Sequence, residues 1–136
     1  MVVCSEMIGK CSRAISLLCD YMNKTSEVKS FIDGWSSNIQ FDLSGEDLFA
    51  VIFLPEGNVN FKTGRLERAD VTFYANSDLF YQLLTGRADQ DQAFSNGLVE
   101  IRGSIIDSVK FRHAAELTQE NHKTLFTALR ALSRFT

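Results

Sequence analysis

The sequence is short of the residues that break chains, hold metals or span membranes. One proline stands among 136 residues, at Pro55, and no linker or repeat divides the chain. Histidines number two, His113 and His122, and cysteines three, Cys4, Cys11 and Cys19. An odd count leaves one cysteine unpaired, no two are spaced as Cys-x-x-Cys, and a reducing cytoplasm suits them best. No apolar run approaches the ~20 residues that cross a bilayer, so stable membrane insertion is not expected. At the N-terminus Glu6, Lys10 and Arg13 interrupt the apolar residues before a secretory signal develops. Positive charge is short too: 14 Lys and Arg stand against 17 Asp and Glu, a net charge of −3. That balance gives no footprint for nucleic acid and argues against docking on anionic lipid.

Phenylalanine is what the chain has in excess, eleven against three tyrosines. Its wholly apolar ring suits a thick core or an apolar pocket. A chain of this length buries a core without metal or disulfide staples, and a single domain over residues 1–136 is expected.

The organising stretch is Leu48–Leu54, where every residue is apolar, closed by Pro55 and Gly57. So short a run reads as a strand, with Phe49, Val51 and Phe53 on one face and Leu48, Ala50, Ile52 and Leu54 on the other. The lack of alternation demands a cover for the second face: a helix layer, a subunit or an apolar ligand. Ile39–Leu43 reads as the strand before it. Val59 and Phe61 mark the strand after it, across the Pro55-Glu56-Gly57 corner. Ala69–Ala75 would be a fourth strand, completing an antiparallel meander, and Leu98–Gly103 a fifth.

Helices flank these strands. Residues 6–22 carry Ile8, Cys11, Ile15, Leu18 and Met22 on one stripe, which makes Cys4 and Cys11 buried hydrophobes rather than reactive thiols. A shorter helix should follow from a Ser26 cap to Trp35, with Trp35 packing where it meets the sheet. Ser77 is placed to cap a helix that Gly86 ends, and Asp89 a further short one stopped by Asn96-Gly97. Ile105–Leu117 should present Ile106, Val109, His113 and Leu117 on one side. A last helix is expected over 118–134, with His122, Leu125, Leu129 and Leu132 sharing a stripe. The fold class is α+β: a five-stranded antiparallel sheet covered by helices.

Residues 69–103 carry an ordered set: Ala69-Asp-Val-Thr-Phe73, Asp78-Leu79, Leu83, Gly86, then Phe94-Ser-Asn-Gly97-Leu98-Val-Glu-Ile101-Arg-Gly103. This set resembles the sterol carrier protein 2 (SCP2-like) family, most strongly over residues 35–110. On that resemblance Gly97 would let Phe94 fold back and Gly103 would let the next helix approach closely. Ser104 and the proline-free Gly86-Arg87-Ala88-Asp89 depart from the family pattern, and the chain's last residues, Arg-Phe-Thr, are not a peroxisomal tripeptide.

The resemblance implies an apolar tunnel between sheet and helices that holds a lipid, a fatty-acyl compound or a sterol-like molecule. By resemblance and strand parity its lining would be Phe73, Leu79, Leu83, Phe94, Ile101, Ile105 and Val109, with Phe49, Val51 and Phe53 as second choices. Catalysis is not expected, because no nucleophile, base and orienting group converge. The two histidines read as packing residues on helix faces, Asp89-Gln-Asp91 as a helix cap rather than a calcium loop, and Glu46-Asp47 as turn residues. Arg65 and Arg68 read as solvated turn residues, and isolated turn glycines rule out a phosphate loop. Neither metal nor cofactor is expected. The partner implied is a hydrophobic small molecule, with no nucleic acid. The alternative is a homodimerising interaction module without ligand, using the second face of Leu48–Leu54 or the N-terminal helix stripe.

Overall fold

The computed structural model describes residues 9–85 and 87–124. Expectations for Cys4, Ile8 and the helix before Gly9, for Gly86 as a helix stop, and for the stretch from Leu125 to Arg134 lie outside the described residues.

Helix α1 spans Lys10–Lys24 and buries Cys11, Ile15, Leu18 and Met22, joined by Ala14 and Cys19. Its N-cap is Gly9, which offers no side chain to the first-turn amides. Glu46 takes that role from a distant turn. One carboxylate oxygen accepts from the Cys11 amide at 3.0 Å, the other from Ser12 at 3.1 Å, and Ser77 Oγ also donates to it. A Cβ on Gly9 would lie 1.9 Å from the Glu46 carboxyl carbon, so the glycine makes room for the carboxylate. Glu46 is therefore a helix cap supplied in trans, not a mere turn residue. Helix α2, Ser26–Ile32, starts after Thr25 rather than after a Ser26 cap. Beyond it Trp35 lies against Phe53 at 4.4 Å between ring centroids, where the helix meets the sheet.

The strands are β1 (Ser37–Ser44), β2 (Phe49–Leu54), β3 (Asn58–Thr63), β4 (Val71–Asn76) and β5 (Glu100–Gly103), in the order β3-β2-β1-β4-β5. Three pairings are antiparallel, but β1 and β4 run parallel, with Ile39 opposite Val71 and Phe41 opposite Phe73. The meander therefore stops after three strands. Residues 64–70 carry the chain across the outer face of the sheet to the far side of β1. Gln40 shows how that crossing is held. Although it sits between core residues Ile39 and Phe41, it is only 3% exposed and points to the opposite face. There Nε2 donates to the Phe49 and Gly64 carbonyls and Oε1 accepts from the Leu66 amide. This crossover covers the second face of β2 at Ala50, which is fully buried beside Gln40. At Ala50 neither a helix layer nor a ligand is needed. Leu48, Ile52 and Leu54 of the same face are half-buried, and the α1 stripe of Cys11, Ile15, Leu18 and Met22 is buried within the chain.

The inner face carries the core. Phe41 stacks between Phe49 (4.9 Å) and Phe73 (5.3 Å), and Phe80 and Phe111 meet it edge-on from the helices. Helix α3, Ser77–Leu84, is capped by Asn76, whose side chain accepts from the Asp78 and Leu79 amides. Ser77, the expected cap, is turned to Glu46 instead. Helix α4, Gln90–Ser95, has Asp89 as its cap. Helix α5 is continuous over Ile105–Asn121, without the break expected at Thr118, whose hydroxyl donates to the Ala114 carbonyl inside the helix.

The buried face of α5 is Ser108, Phe111, Ala114, Ala115 and Thr118. This corrects the stripe of Ile106, Val109, His113 and Leu117. Small residues let the helix lie close to the sheet, while Ile106 and Val109 face outward, 74% and 53% exposed. Both glycine expectations are corrected too. Nothing lies within 4 Å of a Cβ built on Gly97, whose requirement is its φ of +71°. At Gly103 a Cβ would come 2.3 Å from the Asp70 carbonyl oxygen, so the close neighbour is the start of β4 and not the next helix. The result is an α+β fold with a mostly antiparallel five-stranded sheet and its helices on one face.

Candidate functional site: a cavity under α5

Between β4, α3, α4 and α5 lies a cavity of about 40 Å³. Phe73 forms its floor, Phe80, Leu83 and Leu84 line it from α3, Phe94 from α4, and Phe111 and Ala115 from α5. Its polar lining is Arg112, Glu116 and Gln119, which follow one another along the side of α5 next to its buried face. Two side chains of α5 tie it to the opposite wall. Gln119 Nε2 donates to the Leu84 carbonyl at the end of α3 at 2.8 Å. The Arg112 guanidinium stands 4.6 Å above the Phe94 ring and pairs with Asp91 at 3.5 Å. A void of this volume holds a water molecule or so, whereas benzene needs about 150 Å³.

Of the ten residues expected at the site, the structure brings Phe73, Leu83 and Phe94 together around the cavity. Leu79 and Ile101 are half-buried against the core beside it, and Phe49, Val51 and Phe53 lie inside the core. Ile105 and Val109 are on the outer surface of α5. Sequence reasoning missed Phe111, Ala115, Arg112, Glu116 and Gln119. The signal was present in the spacing of Phe111, Ala115 and Thr118, but it runs through small residues that a search for large aliphatics passes over.

Reactive groups are elsewhere. His113 packs edge-on to Phe31 at 4.7 Å, and His122 Nε2 lies 2.9 Å from Thr25 Oγ1 beside Tyr21. Neither lines the cavity. Burial pushes the Cys19 thiol up to about 12, and burial together with the Glu46 carboxylate raises Cys11 as well. Both behave as small buried hydrophobes. Among the described residues no group of three His, Cys, Asp or Glu could hold a metal ion, and no helix is long and apolar enough to cross a membrane.

The sequence profile of the SCP-2 sterol transfer family matches residues 17–116, which take in α1 from its middle, the sheet, the cavity and most of α5. The chain belongs to the SCP-2 sterol transfer family. No curated protein matches it significantly. Solved SCP-2 structures share the fold at low identity. The sterol carrier protein domain 2 of Helicoverpa armigera superposes with a TM-score of 0.64 at 19% identity, covering 82% of this chain and 87% of its own. A UbiJ-SCP2 ubiquinone synthesis protein gives 0.62 at 18%, covering 80% and 91%. The sec-alkylsulfatase Pisa1 from Pseudomonas sp. contains a similar fold, 0.54 at 18%; the match covers 65% of this chain but 14% of the enzyme. Membership supports lipid binding or transfer in general terms.

Proposed function

We propose that this protein is a non-enzymatic carrier that holds a hydrophobic ligand, a lipid, fatty-acyl compound or sterol-like molecule, between the sheet and α3–α5. The observation that carries the reading is the cavity: apolar on the β4, α3 and α4 sides, with Arg112, Glu116 and Gln119 gathered on one helix. The ligand's tail lies against Phe73, Leu83 and Phe94, and its polar end stays beside these three side chains. At about 40 Å³ the cavity has to widen to admit such a ligand. Entry of a chain-like ligand separates α5 from α3 and α4, breaking the Gln119–Leu84 hydrogen bond and the Arg112–Phe94 contact. About ten buried CH₂ groups supply ~8 kcal/mol, the equivalent of micromolar affinity before ordering costs. No catalytic group takes part, and the carrier works in the cytoplasm, sequestering its ligand from water.

The test is organic extraction of purified protein followed by mass spectrometry, with native mass spectrometry before and after. A stoichiometric fatty acid, acyl ester or isoprenoid is expected. An empty protein that also fails to take up a fluorescent fatty acid at micromolar concentration overturns the reading.

A further inference from the structure

The sheet has two edges, and they are treated differently. At the β3 edge the Asn23 side chain of α1 occupies the open backbone. Its Nδ2 donates to the Val59 carbonyl and its Oδ1 accepts from the Val59 amide, both at 2.8 Å. Among the described residues no strand pairs with the outer edge of β5. The Ser104 amide donates to the Asp70 carbonyl, so residues 100, 102 and 104 direct their backbone groups at β4. By the alternation of an antiparallel ladder, Ile101 directs its N–H and C=O outward. The strongly exposed large apolar side chains of the described chain, Leu98, Ile105, Ile106 and Val109, all fall in residues 98–109, the stretch that contains β5. Scattered exposed apolar residues need no explanation, but four bracketing one open edge do.

We propose that this edge binds a second copy of the chain, β5 to β5, about a two-fold axis through Ile101. The charges select this occupant. Glu100 and Arg102 flank Ile101 on the same face, 55% and 69% exposed, and pair with each other at 2.9 Å, with the Arg102 guanidinium 5.1 Å above the Tyr74 ring. In an antiparallel pairing centred on Ile101, the two Ile101 residues exchange both backbone hydrogen bonds. Glu100 of each copy then stands directly opposite Arg102 of the other. The exposed pair within one strand is worth little, so exchanging it for two cross-strand pairs costs little. The same register sets the exposed Leu98 of each copy opposite Ser104 of the other, next in sequence to the exposed Ile105, as a self-complementary interface requires. The two sheets become one continuous sheet, and both cavities stay on its helix-covered side.

Sedimentation velocity of the full chain tests this, with charge reversal as the probe. Wild type is expected at twice the 15.3 kDa chain mass as concentration rises. Glu100→Arg and Arg102→Glu each place like charges opposite one another and should raise the dimer dissociation constant at least about tenfold. An equimolar mixture of the two variants restores unlike charges at every position, and dimers should return. Both sites are exposed, so unfolding does not confound the result, and urea midpoints equal to wild type check that. A wild type that stays monomeric into the millimolar range overturns the proposal. So does a dimer indifferent to both reversals, or a mixture that does not recover. Monomer that sediments with phosphatidylcholine vesicles, and stops doing so as Ile106→Glu, overturns it in favour of a lipid surface.

Discussion

Leu83→Ala should make the protein less stable and a better binder. Leu83 is 5% exposed, belongs to the core and lines the cavity with Phe73, Phe94 and Phe111. Truncation removes three carbon atoms from a packed site and should lower unfolding free energy by about 3 kcal/mol, the middle of the range for buried leucines. The vacated volume joins a cavity of about 40 Å³. A ligand tail that reaches it recovers up to ~0.8 kcal/mol per CH₂, about 2.4 kcal/mol for three carbons, or roughly fifty-fold in affinity. Ala115→Leu, on the opposite wall, reverses the sign: overpacking costs about 1–3 kcal/mol and the ligand loses the same space. The assay is displacement of a fluorescent fatty acid, beside urea unfolding of ligand-free protein. Affinity and stability should move in opposite directions for Leu83→Ala and fall together for Ala115→Leu. Affinity that falls with stability in Leu83→Ala, or ignores both substitutions, would refute the assignment of the ligand to this cavity.

The trans cap gives a coupled pair. Glu46→Ala leaves two first-turn amides and the Ser77 hydroxyl without their acceptor and should cost about 2 kcal/mol or more in urea denaturation. Gly9→Ala should destabilise wild type but be neutral or better in the Glu46→Ala background, because the nearest atoms it meets all belong to the Glu46 side chain. Asp107→Ala should cost about 2–3 kcal/mol and shift the emission of Trp35, the only tryptophan, since Asp107 accepts from Trp35 Nε1 at 3.1 Å and Ser37 Oγ at 2.8 Å. The buried thiols predict an alkaline limb. Cys19 stays neutral in the fold up to about 12 while the unfolded thiol ionises near 9.0. Its stabilisation is therefore complete below pH 9 and lost as pH rises through that window, at ~1.4 kcal/mol per pH unit. Urea midpoints across the window should fall less steeply for Cys19→Ala than for wild type.

The strands were legible because a strand is a local pattern. Alternation around Phe41, the apolar run of β2 and the Pro55–Gly57 corner each lie within a few residues, and each produced an element where expected. The parallel pairing of β1 with β4 was not legible, because residues 64–70 have the length and polarity of a hairpin loop and nothing local distinguishes a crossover. Its one trace is Gln40, a polar residue where the core face gives way to a buried outer face. Glu46 was misread for a related reason. Its partners are the amides of Cys11 and Ser12, more than thirty residues away, and amides leave no mark in a sequence. The cavity was half legible. Phe73, Leu83 and Phe94, named from the resemblance and strand parity, meet around it, whereas the α5 wall depended on which face of that helix turned inward.

That helix ties the structural findings to the proposals. Large aliphatics on an inner face would interdigitate with the sheet and resist sliding, since packed interiors respond to shifts of a single methylene. Helix α5 instead puts Ser108, Ala114, Ala115 and Thr118 inward around one large anchor, Phe111. Small side chains bury less area each, so parting this helix from α3 and α4 sacrifices less apolar contact than parting a leucine-rich helix would. What joins its cavity side to α3 and α4 is largely polar and replaceable: one amide on the Leu84 carbonyl, and one guanidinium over Phe94 and beside Asp91. Its first turn is fixed differently, by Asp107 on Trp35 and Ser37, beside the exposed Ile105 and Ile106. On the proposed reading, a ligand entering under Ala115 meets the side of the helix held by these replaceable contacts. The firm end stays at the β5 edge, so a dimer formed there can load and unload without coming apart.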